Sequence, residues 1–334
     1  MNSLVKILSI DGGGIRGLIP AMVLAEIEER TKQPIASLFD LVAGTSTGGI
    51  LALGLTIPRA PDGPVYSARQ MAHFYQAEGS RIFSRSPLRA LFACDNLTWK
   101  KYTSTGIERV LLEYFGDSRL RDATTNVLIP SYELEHRTPF FFRSSNARLR
   151  LDYDFFARDV ARATSAAPSY FEPFRMFTGT PDEHYTLIDG GVFANNPAAC
   201  ALVDARTAFP DAPGFLIVSL GTGALARNIP LGLARYWGTI RWAKPLLDVV
   251  FDGVSSTVDY QLRQLLRPHH YYRIQARITR HTHRLDDSSR ANISALKAVA
   301  RHLIEAESAN LDKICEALLC TSPVAGSTSR LQTA

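Results

Sequence analysis

Phe39-Asp40-Leu41-Val42-Ala43-Gly44-Thr45-Ser46-Thr47-Gly48-Gly49-Ile50-Leu51-Ala52-Leu53-Gly54-Leu55 decides the fold. The first apolar run predicts a strand over 39–45, and the second predicts a helix over 48–57. Between them Gly44-Thr45-Ser46-Thr47-Gly48 must reverse the chain within a few residues. Glycines on both sides of the serine permit a sharp turn, which lifts the hydroxyl out of the sheet while the following helix aims its N-terminal amides at the same spot. Gly-x-Ser-x-Gly is short and also arises in ordinary loops. The strand before it and the helix after it make Ser46 a candidate nucleophile on a strand-to-helix elbow, placed to attack a carbonyl.

Working outward, Leu4-Val5-Lys6-Ile7-Leu8-Ser9-Ile10 reads as a strand that closes on Asp11-Gly12-Gly13-Gly14-Ile15-Arg16-Gly17, and Leu18 to Thr31 has helical periodicity. Two strand-loop-helix units in succession predict parallel strands joined by crossover helices, an α/β sheet. Candidate strands follow at Val127–Pro130, Pro139–Phe142, Tyr185–Ile188, Phe215–Leu220 and Tyr271–Gln275, with helices over 155–164, 230–265 and 290–320. Four of the strands end in glycine turns, the last two such turns being Asp189-Gly190-Gly191 and Gly221-Thr222-Gly223, and ligand sites gather beyond the carboxyl ends of such strands. The basic, aromatic-bearing stretch from Arg81 to Tyr102 is expected to cover the site as a lid. The polar tail 321–334 is expected to be mobile. No internal repeat or linker divides the chain, so 1–320 is read as a single domain with a motif-bearing part, 4–223, and a helical C-terminal part, 224–320.

The 334 residues, 46% hydrophobic and 21% charged, allow a sizeable core. No stretch approaches the roughly 20 apolar residues of a spanning helix, and none reads as a leader. Cys94, Cys200, Cys315 and Cys320 lack C-x-x-C spacing, which predicts free thiols and a cytoplasmic location. Residues 1–225 carry 22 basic and 23 acidic side chains, whereas 226–334 carry 15 and 9, so the net charge of +5 is C-terminal in origin. Thirty of the 37 basic residues are arginine. That surplus reads either as solvated helix faces or as attraction to an anionic partner, a phospholipid surface or a nucleotide; no DNA or RNA partner is expected.

An activated serine needs a base and an oxyanion hole. Asp189, between a strand and two glycines, is a candidate general base, with a turn aspartate as the plainer reading. Gly12, Gly13 and Gly14, ahead of a helix, offer unhindered amides for an oxyanion. The same loop, Gly12-Gly13-Gly14-Ile15-Arg16-Gly17, also fits G-x-G-x-x-G, a dinucleotide fingerprint, but that reading leaves Ser46 and Asp189 unused. Arg16 is read either as an internal ion-pair partner or as a contact for a substrate phosphate. His269 or His270 would complete a Ser-His-Asp triad, yet neither lies in a glycine turn. No metal-ligand spacing is present.

Asp11-Gly12-Gly13-Gly14-Ile15-Arg16-Gly17, Gly44-Thr45-Ser46-Thr47-Gly48-Gly49 and Asp189-Gly190-Gly191, in this order, resemble the patatin-like phospholipase family. Ala163-Thr164-Ser165-Ala166-Ala167-Pro168, Asn195-Asn196-Pro197 and Ser219-Leu220-Gly221-Thr222-Gly223 also resemble stretches of that family, so the likeness spans 4–223. The resemblance implies a three-layer α/β/α fold with a largely parallel central sheet. It also implies Ser46 as nucleophile, Asp189 as its sole catalytic partner, Gly12 to Gly14 as oxyanion hole, Gly17, Gly44, Gly48, Gly190 and Gly191 as motif glycines, and no cofactor. The implied reaction is hydrolysis of a lipid acyl ester through an acyl-serine, at a membrane surface that the protein binds peripherally, the inner membrane in a bacterium. A short, stand-alone chain of this kind resembles two bacterial groups, housekeeping lipid acyl hydrolases and anti-phage effectors switched on by a cyclic dinucleotide. It admits a homo-oligomer, and some members of the fold serve as storage protein.

Overall fold

Each apolar strand of the sheet divides its side chains between two faces, and the two faces fill two cores. The computed structural model describes residues 4–59, 63, 65–83, 102–178, 183–225, 229–279, 282 and 284–320. Its elements begin with β1 (Val5–Ile10), α1 (Leu18–Thr31), α2 (Ile35–Leu38), β2 (Leu41–Gly44), α3 (Thr47–Thr56), α4 (Ala68–Ile82) and α5 (Ser104–Phe115). Next come β3 (Asn126–Glu133), β4 (Thr138–Arg143), α6 (Ser144–Leu149), α7 (Ala157–Thr164), β5 (Phe174–Phe177), β6 (His184–Asp189), α8 (Gly191–Ala194) and α9 (Ala198–Ala208). The chain continues with β7 (Phe215–Leu220), β8 (Ala224–Leu225), α10 (Leu231–Ala234), α11 (Thr239–Leu265), β9 (Tyr271–Ile274), β10 (Arg277–Ile278), α12 (Arg290–Ala306) and α13 (Ser308–Leu319).

Seven strands run in the order β5-β6-β3-β2-β1-β7-β9, with β4 also paired to β3. The five strands from β3 to β9 are parallel neighbours, and β4, β5 and β6 add antiparallel pairings. Leu8, Ile10, Val42, Val127, Ile129, Leu216, Val218 and Leu220 pack with α1, α3 and the last two helices in one core. Their alternates Val5, Ile7, Leu41, Ala43, Leu128 and Ile217 pack with Ala198, Ala201, Leu202 and Ala205 of α9 in the other. Period-two alternation thus yields the three layers.

The C-terminal part is built into this frame. Leu296, Ala300, Leu303, Leu311, Ile314 and Leu318 lie in the same buried cluster as Leu18 and Leu24 of α1. Lys6, the one charge inside β1, donates from Nζ to Leu318 O at the end of α13 (2.6 Å). A buried ammonium is tolerated there because it meets the negative end of a helix.

The predicted strand and helix around Ser46 form, and the helix expected over 230–265 is broken between α10 and α11. The strand expected near 271 joins the sheet edge beside β7. The larger departure concerns β6. Glycine turns suggested four similar strand ends, but β6 pairs antiparallel with β3, Ser131 opposite Asp189. Strand β3 outruns β2, whose last partner on it is Leu128. Its overhang receives β6 returning toward the sheet, so Asp189 approaches Ser46 from the opposite direction. The expected lid falls mostly on 84–101, and the expected mobile tail on 321–334, both outside the described residues.

Register aligns Ile10, Gly44 and Leu220 at one level. Asp11, Thr45 and Gly221 therefore leave the sheet side by side, and their amides continue the ladder to Leu220 O, Ile10 O and Ile274 O. The chain then packs so tightly that a Cβ on Gly48 would collide with the Ile10 carbonyl oxygen, and one on Gly44 with the Gly48 carbonyl. Neither obstacle is a side chain that can swing away. Gly48→Ala should therefore destabilise the fold by about 1–3 kcal/mol, as overpacking does, a loss that urea unfolding against wild type measures.

Candidate active site

Ser46 sits at φ 55°, ψ −121°, a backbone conformation that L-residues rarely adopt. The elbow is held from several sides. The Ser46 amide donates to Thr164 Oγ1 (3.0 Å), which itself donates to Pro130 O (2.6 Å). Thr45 Oγ1 donates to Ala194 O (2.6 Å), and Thr47 Oγ1 lies 2.7 Å from the Tyr75 hydroxyl. Thr45 and Thr47 thus fasten the elbow to α8 and α4, and Gly17 packs against Thr47 and Tyr75.

Asp189 is buried at the end of β6 and lines the same cavity as Ser46. Its Oδ1 also accepts the Gly191 amide (2.7 Å), and Gly190 leaves room for the Pro130 carbonyl. Burial pushes the Asp189 carboxyl up to about 7, against the opposing pull of the Ser46 hydroxyl and the Gly191 amide. A carboxylate so desolvated is a stronger proton acceptor than one in water, and it faces the same cavity as the serine.

The three glycines ahead of the first helix divide their roles. Gly12 is not free to stabilise an oxyanion, because its amide donates to Asn195 O (3.0 Å) while its carbonyl accepts Thr222 Oγ1 (2.6 Å). Gly13 and Gly14 line the cavity with Ser46, and among the described residues their amides have no acceptor. The next amide, of Ile15, is fixed to Leu285 O (2.8 Å). The loop is thus pinned on both sides of two open donors, the geometry an oxyanion requires.

Arg16, read either as an internal ion-pair partner or as a contact for a substrate phosphate, is not among the residues that line the cavity. Its guanidinium is directed at the carbonyls of Gly13 (3.4 Å) and Gly223 (3.5 Å), so it braces two loops. His269 and His270 lie beside Leu4, Lys6 and Leu216 at the amino ends of β1 and β7. Six residues of strand, about 20 Å, separate them from Ser46, which removes the triad alternative. Among the described residues, no three His, Cys, Asp or Glu side chains converge as a metal site would need.

From Ser46 a narrow cavity runs between Ile50, Phe74, Phe83, Ile107, Phe171 and Phe251. Phe83 and Tyr102, which flank 84–101, pack edge to face with centroids 5.6 Å apart, beside Phe171. The lining is overwhelmingly apolar, which suits a hydrocarbon chain.

The C-terminal part contributes what sequence reasoning did not assign. Arg273 Nη1 and Nη2 clasp Asp11 Oδ1 (2.9 Å) and Oδ2 (2.5 Å), and Nη1 also reaches Ser219 Oγ (2.9 Å). Both charges are buried. Burial opposes the charge on Arg273, yet the Asp11 carboxylate outweighs it and raises the guanidinium pKa. Asn195 Nδ2 donates to Ser255 Oγ on α11 (3.0 Å), and Phe251 of the same helix reaches the cavity. The only sequence signal for Arg273 was a charge at the centre of the aromatic strand Tyr271-Tyr272-Arg273-Ile274.

Comparison with known proteins places the chain in a family. The model of the family described as patatin-like phospholipase matches residues 8–202. Patatin-like protein 2 of Arabidopsis thaliana is 33% identical over 94% of this chain and 86% of its own length. Patatin-like protein 4 of the same plant is 31% identical over 91% and 84%, and the potato protein named "Probable inactive patatin-3-Kuras 1" is 31% identical over 91% and 87%. The chain belongs to the patatin-like phospholipase family, a class of serine-type lipid acyl hydrolases. A similarity that extends to a protein of that last name makes the intact Ser46, Asp189, Gly13 and Gly14 the observations that matter here. Arg273, Phe251 and Leu285 lie beyond the matched segment.

In the unfolded chain Asp189 ionises near its ordinary value, so between about pH 4 and pH 7 the unfolded state loses its proton first and stability falls as pH rises. Asp189→Asn abolishes that slope, and its melting temperature relative to wild type should climb across the same interval. Arg273→Leu strands the Asp11 carboxylate and should cost about 3–5 kcal/mol; Asp11→Asn/Arg273→Leu should recover part of the loss in chemical denaturation.

Proposed function

We infer that this protein hydrolyses fatty-acyl esters of membrane phospholipids through a Ser46-Asp189 dyad. The observation that carries this reading is the convergence of Ser46 and the buried Asp189 carboxyl on one apolar cavity. Ser46 Oγ attacks the ester carbonyl carbon as its proton passes to Asp189, and the oxyanion settles on the Gly13 and Gly14 amides. Collapse breaks the bond to the glycerol oxygen, which departs with the proton from Asp189. A water molecule then adds to the acyl-serine, giving a proton to Asp189, and the second tetrahedral intermediate collapses to release the fatty acid as Asp189 returns that proton to Ser46 Oγ. The apolar lining holds the acyl chain while the headgroup stays outside.

Gating by a cyclic dinucleotide would need a cationic pocket in the arginine-rich C-terminal part. Among the described residues, the deeply buried arginine of that part, Arg273, is committed to Asp11. The reading tested first is a hydrolase active without a nucleotide, and the assay below includes cyclic dinucleotides as a separate arm.

Purified protein should release fatty acid from phosphatidylcholine and phosphatidylglycerol vesicles. Ser46→Ala and Asp189→Asn should each lower the rate at least about a hundredfold, the low end for general base catalysis, while His269→Ala and His270→Ala leave it intact. The wild-type rate should rise with pH up to about 7 and then level off, because only the ionised Asp189 accepts the serine proton. Activity confined to one cyclic dinucleotide would replace the constitutive reading with the gated one. Full activity of Ser46→Ala, or none in any protein, would sink the hydrolase reading and favour a binding or storage role.

A further inference from the structure

Helix α11 has two apolar faces, and only one is covered. At 3.6 residues per turn, Phe251, Ser255, Val258 and Leu262 fall on one side, where Phe251 lines the catalytic cavity, Ser255 holds Asn195 and Leu262 is buried in the second core. Trp242, Leu246 and Val249 recur at spacings of four and three on another side, about 140–180° away from Phe251. There Leu246 is 50% and Val249 44% exposed. The preceding segment continues this surface. Leu231 of α10 is 80% exposed, Tyr236 is exposed, and the Trp237 and Trp242 rings stack edge to face at 5.3 Å. Two of the chain's three tryptophans are therefore half-buried on this one surface.

Over 229–247 the charge has one sign, and the first acids come after it, Asp248 and the exposed Asp252. From Ile229 to Leu247 the sequence contains Arg235, Arg241 and Lys244 and no acidic residue, and Arg235 and Arg241 are exposed. The Arg235 guanidinium stacks on the Tyr236 ring with its carbon 4.4 Å from the centroid. Exposed leucines, interfacial tryptophan and tyrosine, and arginines without intervening acids form the pattern of a helix that lies in a bilayer interface, its apolar side among the acyl chains and its cations among anionic headgroups. Among the described residues no helix is long and apolar enough to cross a membrane.

We propose that the outward surface of α10 and the first half of α11 docks this protein onto anionic lipid bilayers, beside the cavity that receives the acyl chain. This rests on the lipid-hydrolase reading and adds to it the surface of approach. One helix serves both purposes, since α11 presents Leu246 outward and Phe251 to the cavity within two turns. Docking by this surface brings the ester close to Ser46 without the protein having to extract a whole lipid into water.

Co-sedimentation with vesicles tests the proposal on the full chain, carrying Ser46→Ala so that the vesicles stay intact. The protein should sediment with equimolar phosphatidylcholine and phosphatidylglycerol, less with phosphatidylcholine alone, and less as salt is raised. Leu231→Glu/Leu246→Glu should lower the bound fraction about tenfold or more. Arg235→Glu/Arg241→Glu should remove the preference for the anionic vesicles. Neither pair touches the cavity, so in the Ser46-containing protein both variants should cleave a soluble short-chain ester at the wild-type rate, which also reports on folding. Undiminished sedimentation of the leucine variant overturns the proposal, as does failure of the parent protein to bind either vesicle. A dimer that the leucine variant dissolves, with no vesicle binding, assigns the surface to a second copy instead. If the parent binds anionic vesicles through this surface while the Ser46-containing protein cleaves no ester, the docking stands and the hydrolase reading falls.

Discussion

The buried ion pair between Asp11 and Arg273 is the constraint on which the active site rests. Asp11 opens the glycine loop, and Arg273 sits on the last strand of the sheet, 262 residues later. A bidentate guanidinium-carboxylate contact fixes distance and orientation together. Two desolvated charges are tolerable only while both are present, so the loop and the edge strand are locked to each other. From that fixed point the loop proceeds through Gly12, tied to Asn195 and Thr222, to the open amides of Gly13 and Gly14. Removing the far strand would leave the motif residues in the chain but unsupported.

The second dependency is geometric. Parallel strands in register deliver Asp11, Thr45 and Gly221 to one level, but parallel strands alone would carry the candidate base away from the serine. The overhang of β3 and the return of β6 bring Asp189 back to the elbow, and the same burial that surrounds it raises its affinity for a proton. A carboxylate can therefore serve as base near neutral pH without a histidine between it and the serine. The apolar cavity follows from the same arrangement, as α3, α4, α5 and α11 turn hydrophobic side chains toward the space beyond the strand ends.

The strands and helices around the motifs were legible because their signals are local. Alternation in Val5–Ile10 and Phe215–Leu220, the apolar run after Gly49 and the glycines of the turns each act within a few residues. Ser46 and Asp189 stood out as candidates for the same reason, each standing in a turn whose backbone demands are written beside it. The glycine loop was read less well. Nothing in Gly12-Gly13-Gly14 distinguishes the amide that Asn195 occupies from the two left open, since that choice is made by a residue more than 180 positions away. Arg16 was left between an internal partner and a substrate phosphate likewise, because the Gly223 carbonyl that it faces is distant in sequence.

The sequence by itself determined the layered α/β architecture, the elbow at Ser46, the turn at Asp189 and the family to which they belong, because side-chain periodicity and turn chemistry are short-range. Only the tertiary structure decided the antiparallel return of β6, the division of labour among the three glycines, the commitment of Arg273 to Asp11 and the reach of α11 to the cavity. Each of these depends on which groups satisfy one another once water is excluded, and that pairing is set by the packing of residues far apart in the chain.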